Sequence, residues 1–335
     1  MTAETHILEP GRMGLGERVR GIFANSWIGL ILIALVIGFS VLQPNFATKF
    51  NILNILVSAS LFVIMAVGQT YIIITAGIDL SVGSVLVLSS VVAVLVMRAM
   101  GGIDGGWTAA VAGIVCGVGA GLAVGLLNGL LIAKSRVPAL IVTLGTLGIA
   151  LGTAQLLAKG VDIAAVPAVY SKRIGFGSVL GVPVLVLIAF AVIMIFYVVL
   201  SQTRFGRHTY AIGSNVEAAR RAGIRVDRHL VKIYALQGAL SGFAGVLSLA
   251  RFSTTTIAGH NADNLTVISA VVLGGTSLFG GYGSVLGTSI AVLIPVVLTN
   301  GLIIIGVQPF WQTILIGSIL IIAVFIDQQR RLARA

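Results

Sequence analysis

The chain has 335 residues, of which 58% are hydrophobic, 9% are charged and 42 are glycine, with a formal charge of +11. Such a composition excludes an ordinary soluble core and describes a polytopic membrane protein. The positive charge requires no nucleic acid as partner if the basic residues gather on one side of a bilayer, and the single Cys116 excludes an intrachain disulfide.

Apolar runs long enough to cross about 30 Å of hydrocarbon occur about ten times. They fall at 26–43, 53–76, 81–98, 107–133, 138–158, 179–201, 232–250, 264–280, 284–306 and 310–327. The predicted class is all-α, with an N-terminal tail at 1–25, a transmembrane domain at 26–328 and a C-terminal tail at 329–335. The first run is too long for a signal-peptide core and no small-residue cleavage site follows it, so it is expected to remain as a span. With the N-terminus inside, cytoplasmic segments hold fifteen Lys/Arg and outer loops hold six. That bias follows the positive-inside rule, and an even number of spans places both termini in the cytoplasm.

Between the second and third runs stands A-G-I-D-L-S-V-G-S, residues 76–84. Asp79 and Ser81 are good N-cap residues for the third span; the other reading makes Asp79 a gate lock or a contact with a motor subunit. In the fourth run Gly113, Gly117, Gly121, Gly125 and Gly129 recur every fourth residue, and Gly148/Gly152 and Gly238/Gly242 repeat the spacing. Ladders of this kind let helix backbones approach closely where lipid gives no hydrophobic drive. The expected partner is another helix of the same chain, with a subunit interface as the alternative.

Residues 201–231 form the one long polar loop, and within it lies S-N-V-E-A-A-R-R-A-G, residues 214–223. Ser214 with Glu217 three places on is a capping-box pattern, Gly223 is a helix stop, and Arg220 and Arg221 suit the C-terminal dipole. A short exposed helix over 214–223 follows, of the sort another protein holds. Polar side chains at membrane depth are Gln69, Asn128, Gln155, Gln237, Asn300 and Gln312, none of them charged. Each either bonds a neighbouring helix or lines a path; as a set they suit a neutral, hydroxyl-rich solute better than an ion or a proton. Gln69, Asn128 and Asn300 are the path candidates.

No G-x-x-x-x-G-K-[ST] phosphate loop occurs; Gly129 with Lys134–Ser135 comes nearest, without a Gly before the Lys. All four His fall in predicted tails or loops, and no Cys/His cluster has metal spacing. A membrane-embedded enzyme would need ionisable groups within the spans, and a stand-alone channel would not need a capped cytoplasmic helix.

The segments A-G-I-D-L-S-V-G-S (76–84), V-P-A-L-I-V-T-L-G-T (137–146), G-S-N-V-E-A-A-R-R-A-G-I (213–224) and A-V-V-L-G-G-T-S-L-F-G-G-Y-G-S (270–284) occur in order. Together they resemble the ribose/xylose/arabinose/galactose-type permeases of bacterial ABC sugar importers, over roughly residues 45–328. Glu217, Ala218, Ala219 and Gly223 also match the E-A-A-x-x-x-G pattern of the wider importer class, whose coupling helix docks into a groove on the ATPase. The resemblance implies the ABC importer permease fold in a bacterial inner membrane, with two permease subunits, identical or paralogous. It implies an ATPase partner that carries ATP and Mg, with no cofactor on this chain, and a periplasmic sugar-binding protein. That protein would land on outer loops, where Lys172, Arg173 and Arg251 are either docking charges or simply solvated. Permeases for nucleosides or branched-chain amino acids are the neighbouring alternative.

Overall fold

The computed structural model describes residues 15–260 and 262–332. Its helices are α1 (Leu15–Leu42), α2 (Lys49–Ile74), α3 (Val82–Ala99), α4 (Gly106–Ala133), α5 (Ala139–Ala158), α6 (Ala168–Tyr170), α7 (Val184–Gln202), α8 (Arg204–Ser214), α9 (Val216–Arg221), α10 (Val226–Phe252), α11 (Asp263–Leu273), α12 (Val285–Ala291), α13 (Leu293–Ile304) and α14 (Pro309–Leu332). Between α6 and α7 a π turn, Ser171–Gly175, leads to a small antiparallel hairpin, β1 (Ser178–Val179) and β2 (Val182–Pro183).

Every predicted apolar run coincides with helix, but not every one is a full crossing. Among the described residues seven helices are long and apolar enough to span, the last being the nearly continuous pair α12–α13; the apolar parts of α1 and α14, and α11, are shorter. The run predicted at 264–280 holds only the eleven-residue α11, which is about 16 Å long. Its second half is turn, because Gly275, Gly280 and Gly281 adopt positive φ. The break between α12 and α13 lies one turn before Pro295, whose ring nitrogen cannot donate to the carbonyl of Ala291. The 201–231 region is likewise not a loop: Thr203 caps α8 by accepting from Gly206 N at 3.4 Å, and α8 and α9 follow.

Helix α10 lies at the centre, against α2, α3 and α4. The α4 glycines explain how closely. A methyl group at Gly121 would strike the Gly238 carbonyl and stand 2.8 Å from Gly242 Cα; at Gly125 it would strike the Tyr234 carbonyl and stand 2.9 Å from Gly238 Cα. Gly117 faces the Ser89 carbonyl and Gly113 the side chain of Met97, so one ladder packs on α10 and α3 together. The expectation for Gly148 and Gly152 is corrected: a methyl group there meets nothing within 4 Å. That face of α5 has no partner among the described residues.

Long-range bonds define two ends. At one, Arg251 in the last turn of α10 donates to Asn54 and Ser58 near the start of α2, and Asn51 and Asn300 join α2 to α13. At the other, the end of α2 meets the α8 region: Gly281 N donates to Ile74 O at 2.9 Å, and Tyr210 Oη donates to Gly283 O at 2.7 Å.

Candidate functional site

The exposed helix foreseen at 214–223 exists as α9, six residues long, with a different cap. Ser214 ends α8, so its backbone is helical and unavailable as an N-cap. Asn215 takes the extended conformation a cap requires (φ −162°, ψ 108°), and its Oδ1 accepts from Ala218 N at 2.9 Å. Counting from Asn215, Glu217 is the second helical residue, one short of the position from which a capping box closes. Its carboxylate instead meets Arg220 at 3.2 Å, and Arg220 also approaches Asp227 at 3.5 Å, all exposed. These surface pairs contribute little.

The C-terminal stop forms at the glycine singled out. Gly223 has φ +82°; Gly223 N donates to Arg220 O at 2.9 Å and Ile224 N to Ala219 O at 3.0 Å. This is the paired bonding of a Schellman cap. Ala219 is buried with Ile212 of α8 and Val226 of α10, and Ile224 packs on them. The small Ala219 therefore seats α9 against its two neighbours while Val216, Glu217, Ala218 and Arg221 face outward. On α8, burial and then the neighbouring Tyr282 push the Tyr210 phenol up.

At the α2–α3 turn Asp79 is 2% exposed. Its Oδ1 accepts from Ser81 N at 2.8 Å and Ser81 Oγ at 2.6 Å. Ser81 occupies the N-cap position of α3 but makes no capping bond; its hydroxyl is given to Asp79, and it accepts from Asn128 Nδ2 at 3.1 Å. The expected cap is thus a buried bridge from Asp79 through Ser81 to α4. No cation pairs with Asp79 among the described residues. Burial raises its carboxyl, and the two bonds from Ser81 pull the other way.

The three path candidates are not brought together. Asn128 is fully buried in that bridge. Gln69 is fully buried on α2, and neither end of its amide has a partner among the described residues. Asn300 sits at the far end, where its side-chain amide exchanges two bonds with Asn51, 2.9 and 3.0 Å. Of the three outer-face candidates, Lys172 and Arg173 are exposed on the π turn, which Tyr170 Oη anchors by donating to Val246 O at 2.8 Å. Arg251 turns inward: Nη2 donates to Ser58 Oγ at 2.7 Å and Asn54 Oδ1 at 3.3 Å. These partners lie almost 200 residues away in sequence, beyond any local signal. Sequence reading also missed the Thr256–His260–Asp263 cluster, with His260 Nε2 2.7 Å from Thr256 Oγ1 and Nδ1 2.6 Å from Asp263 Oδ2.

A family model described as branched-chain amino acid transport system / permease component matches residues 51–324. The ribose import permease protein RbsC of Bacillus subtilis is 40% identical over 305 residues, 91% of this chain and 92% of that protein. RbsC of Escherichia coli K12 is 38% identical over 326 residues, 93% and 98% of the two chains. The fructose import permease protein FrcC of Rhizobium meliloti is 36% identical over 313 residues, 89% and 84%. No solved structure matches.

Proposed function

Because this chain belongs to the branched-chain amino acid transport system / permease component family, and is a multi-pass membrane protein of it, we propose that it is the permease subunit of an ATP-driven importer for a monosaccharide of the ribose type. Relatives named for ribose, fructose, D-allose and L-arabinose, all 35–40% identical over most of the chain, support the sugar over the amino acid in the family description or a nucleoside. In this reading the sugar arrives from a periplasmic binding protein and crosses the inner membrane between two permease subunits. An ATPase partner supplies the energy. Both termini face the cytoplasm.

The observation that carries the reading is α9. A short helix, capped at both ends and exposed on one face, projects from the same end as α8 and the start of α10. That is the geometry of a knob held in another protein's groove, and nothing in membrane insertion requires it. Ala218 gives close approach, and Gly223 fixes the angle at which the chain returns to α10. Lys172 and Arg173 lie on the connection that ends against the C-terminal part of α10, the far end from α9, where a binding protein with carboxylates would be steered. Asn300 lies on the sugar's route; Gln69 and Asn128, sealed in the core, reach it only when α2, α4 and α10 part.

Deleting the gene and measuring uptake of radiolabelled D-ribose, D-fructose, D-allose and L-arabinose tests the substrate class. Affinity purification of the tagged chain from its own membranes tests for the ATPase. Unchanged uptake of all four sugars on deletion would overturn the sugar assignment, and a preparation without ATPase subunit would overturn the importer.

A further inference from the structure

At the Arg251 end, α2, the end of α10, α11, α13 and α14 enclose a cleft of about 450 Å³, within the roughly 300–1,000 Å³ of small-molecule sites. Its polar wall holds Asn54, Ser58, Arg251, Thr299, Asn300 and Gln312. Much of that chemistry is only partly committed. Arg251 uses a single nitrogen, Nη2, on Asn54 and Ser58; its other N–H groups have no partner among the described residues. Gln312 Nε2 is buried and also without one. The wall beside them is fixed: Asp263 holds His260 Nδ1 and Thr256 meets His260 Nε2, so this loop is clasped onto α11.

We infer that this cleft, within one subunit at the Arg251 end, is a site where a neutral monosaccharide binds before it passes between the two subunits. The inference rests on the sugar reading above and names residues for it. Amides, hydroxyls and a guanidinium present the mixed donors and acceptors that sugar hydroxyls exchange, and Phe252, with its ring 4.9 Å from the guanidinium carbon, supplies an apolar edge. An apolar solute would leave Gln312 and Arg251 unpaired, at a cost. A metal cation would find Asp263 already bonded to His260. An anion would find Arg251 as the one Lys or Arg of the described lining, with Nη2 already bonded to Asn54 and Ser58. Replaceable hydrogen bonds without a matched ion pair suit a station that must release what it holds.

The test uses the full-length chain in its native membrane vesicles, with Cys116→Ala and Thr299→Cys to place one thiol in the cleft. The labelling rate with a small water-soluble thiol reagent is read with and without D-ribose. D-Ribose is expected to slow labelling, while equal inorganic phosphate does not. Asn54→Leu and Gln312→Leu, each removing one bonding group, are expected to weaken that protection about tenfold and to slow uptake at unchanged protein level. Absence of protection up to the solubility of the sugar, protection by phosphate instead, or protection unaltered in both Leu variants would each overturn the site. Failure here is distinguishable from failure of the sugar reading. If gene deletion abolishes ribose uptake and the Leu variants import at the wild-type rate, the importer stands and the cleft does not.

Discussion

Replacing Gly121 with alanine puts a single methyl group where α4 crosses α10. The added carbon would strike the Gly238 carbonyl and lie 2.8 Å from Gly242 Cα, whereas carbon pairs rest at about 3.5–4.0 Å. The obstructing atoms are backbone, with no rotamer to turn aside, so the helices must separate. Overpacking of this kind costs about 1–3 kcal/mol, and the rigid neighbours place it near the upper figure. Alanine returns up to about 1 kcal/mol through its helix propensity. The net loss of about 2 kcal/mol is a roughly thirtyfold fall in the folded ratio. Gly119, on the exposed side of α4 with nothing within 4 Å, is the control, and Gly119→Ala is expected to be neutral or stabilising. Heating the purified proteins in detergent and measuring the monodisperse fraction by size exclusion separates the two. If Gly121→Ala survives heating as well as Gly119→Ala, the backbone contact is not what joins α4 to α10.

Asn215→Ala is expected to remove about 1 kcal/mol from the start of α9 and to speed hydrogen exchange at Ala218 N, whereas Ser214→Ala leaves that amide protected; equal exchange in the two would return the cap to Ser214. Gly223→Val forces a β-branched residue to φ near +82°. Uptake should fall sharply at normal membrane level, and normal uptake would remove α9 from the coupling step. Reversing Lys172 and Arg173 to Glu together is expected to weaken capture of the loaded binding protein, most of all at low salt; affinity unchanged at every ionic strength would leave them as solvated charges.

Local chemistry made much of this legible. Long apolar runs mark helices because unpaired backbone cannot stand in lipid, and Gly223 marks a stop because few other residues adopt its φ. What sequence spacing cannot supply is the opposite surface. Gly113–Gly129 and Gly148–Gly152 look alike on paper, and only the presence of α10 and α3 beside the first makes it a contact. The choice between Ser214 and Asn215 depends on whether α8 runs through residue 214, which the burial of Gly206, Thr209 and Ile212 decides. Arg251 reads as a loop charge until Asn54 and Ser58 are folded beneath it. The 264–280 run passed a hydropathy test although its glycines bend it into turns, because apolar content does not report φ.

The glycine contacts of α10 also bear on how a push would travel. Side chains between helices act as springs, since rotamers yield before axes move; bare backbone on bare backbone has no such slack. Helix α10 has 27 residues and so is a rod of about 40 Å, with α9 seated at its foot through Val226 and Arg251 at its tip. A shove received at α9 would therefore reach the tip almost undiminished, carrying α4 with it. The stroke of a motor at one membrane face would be delivered as displacement at the other, where Arg251 grips α2.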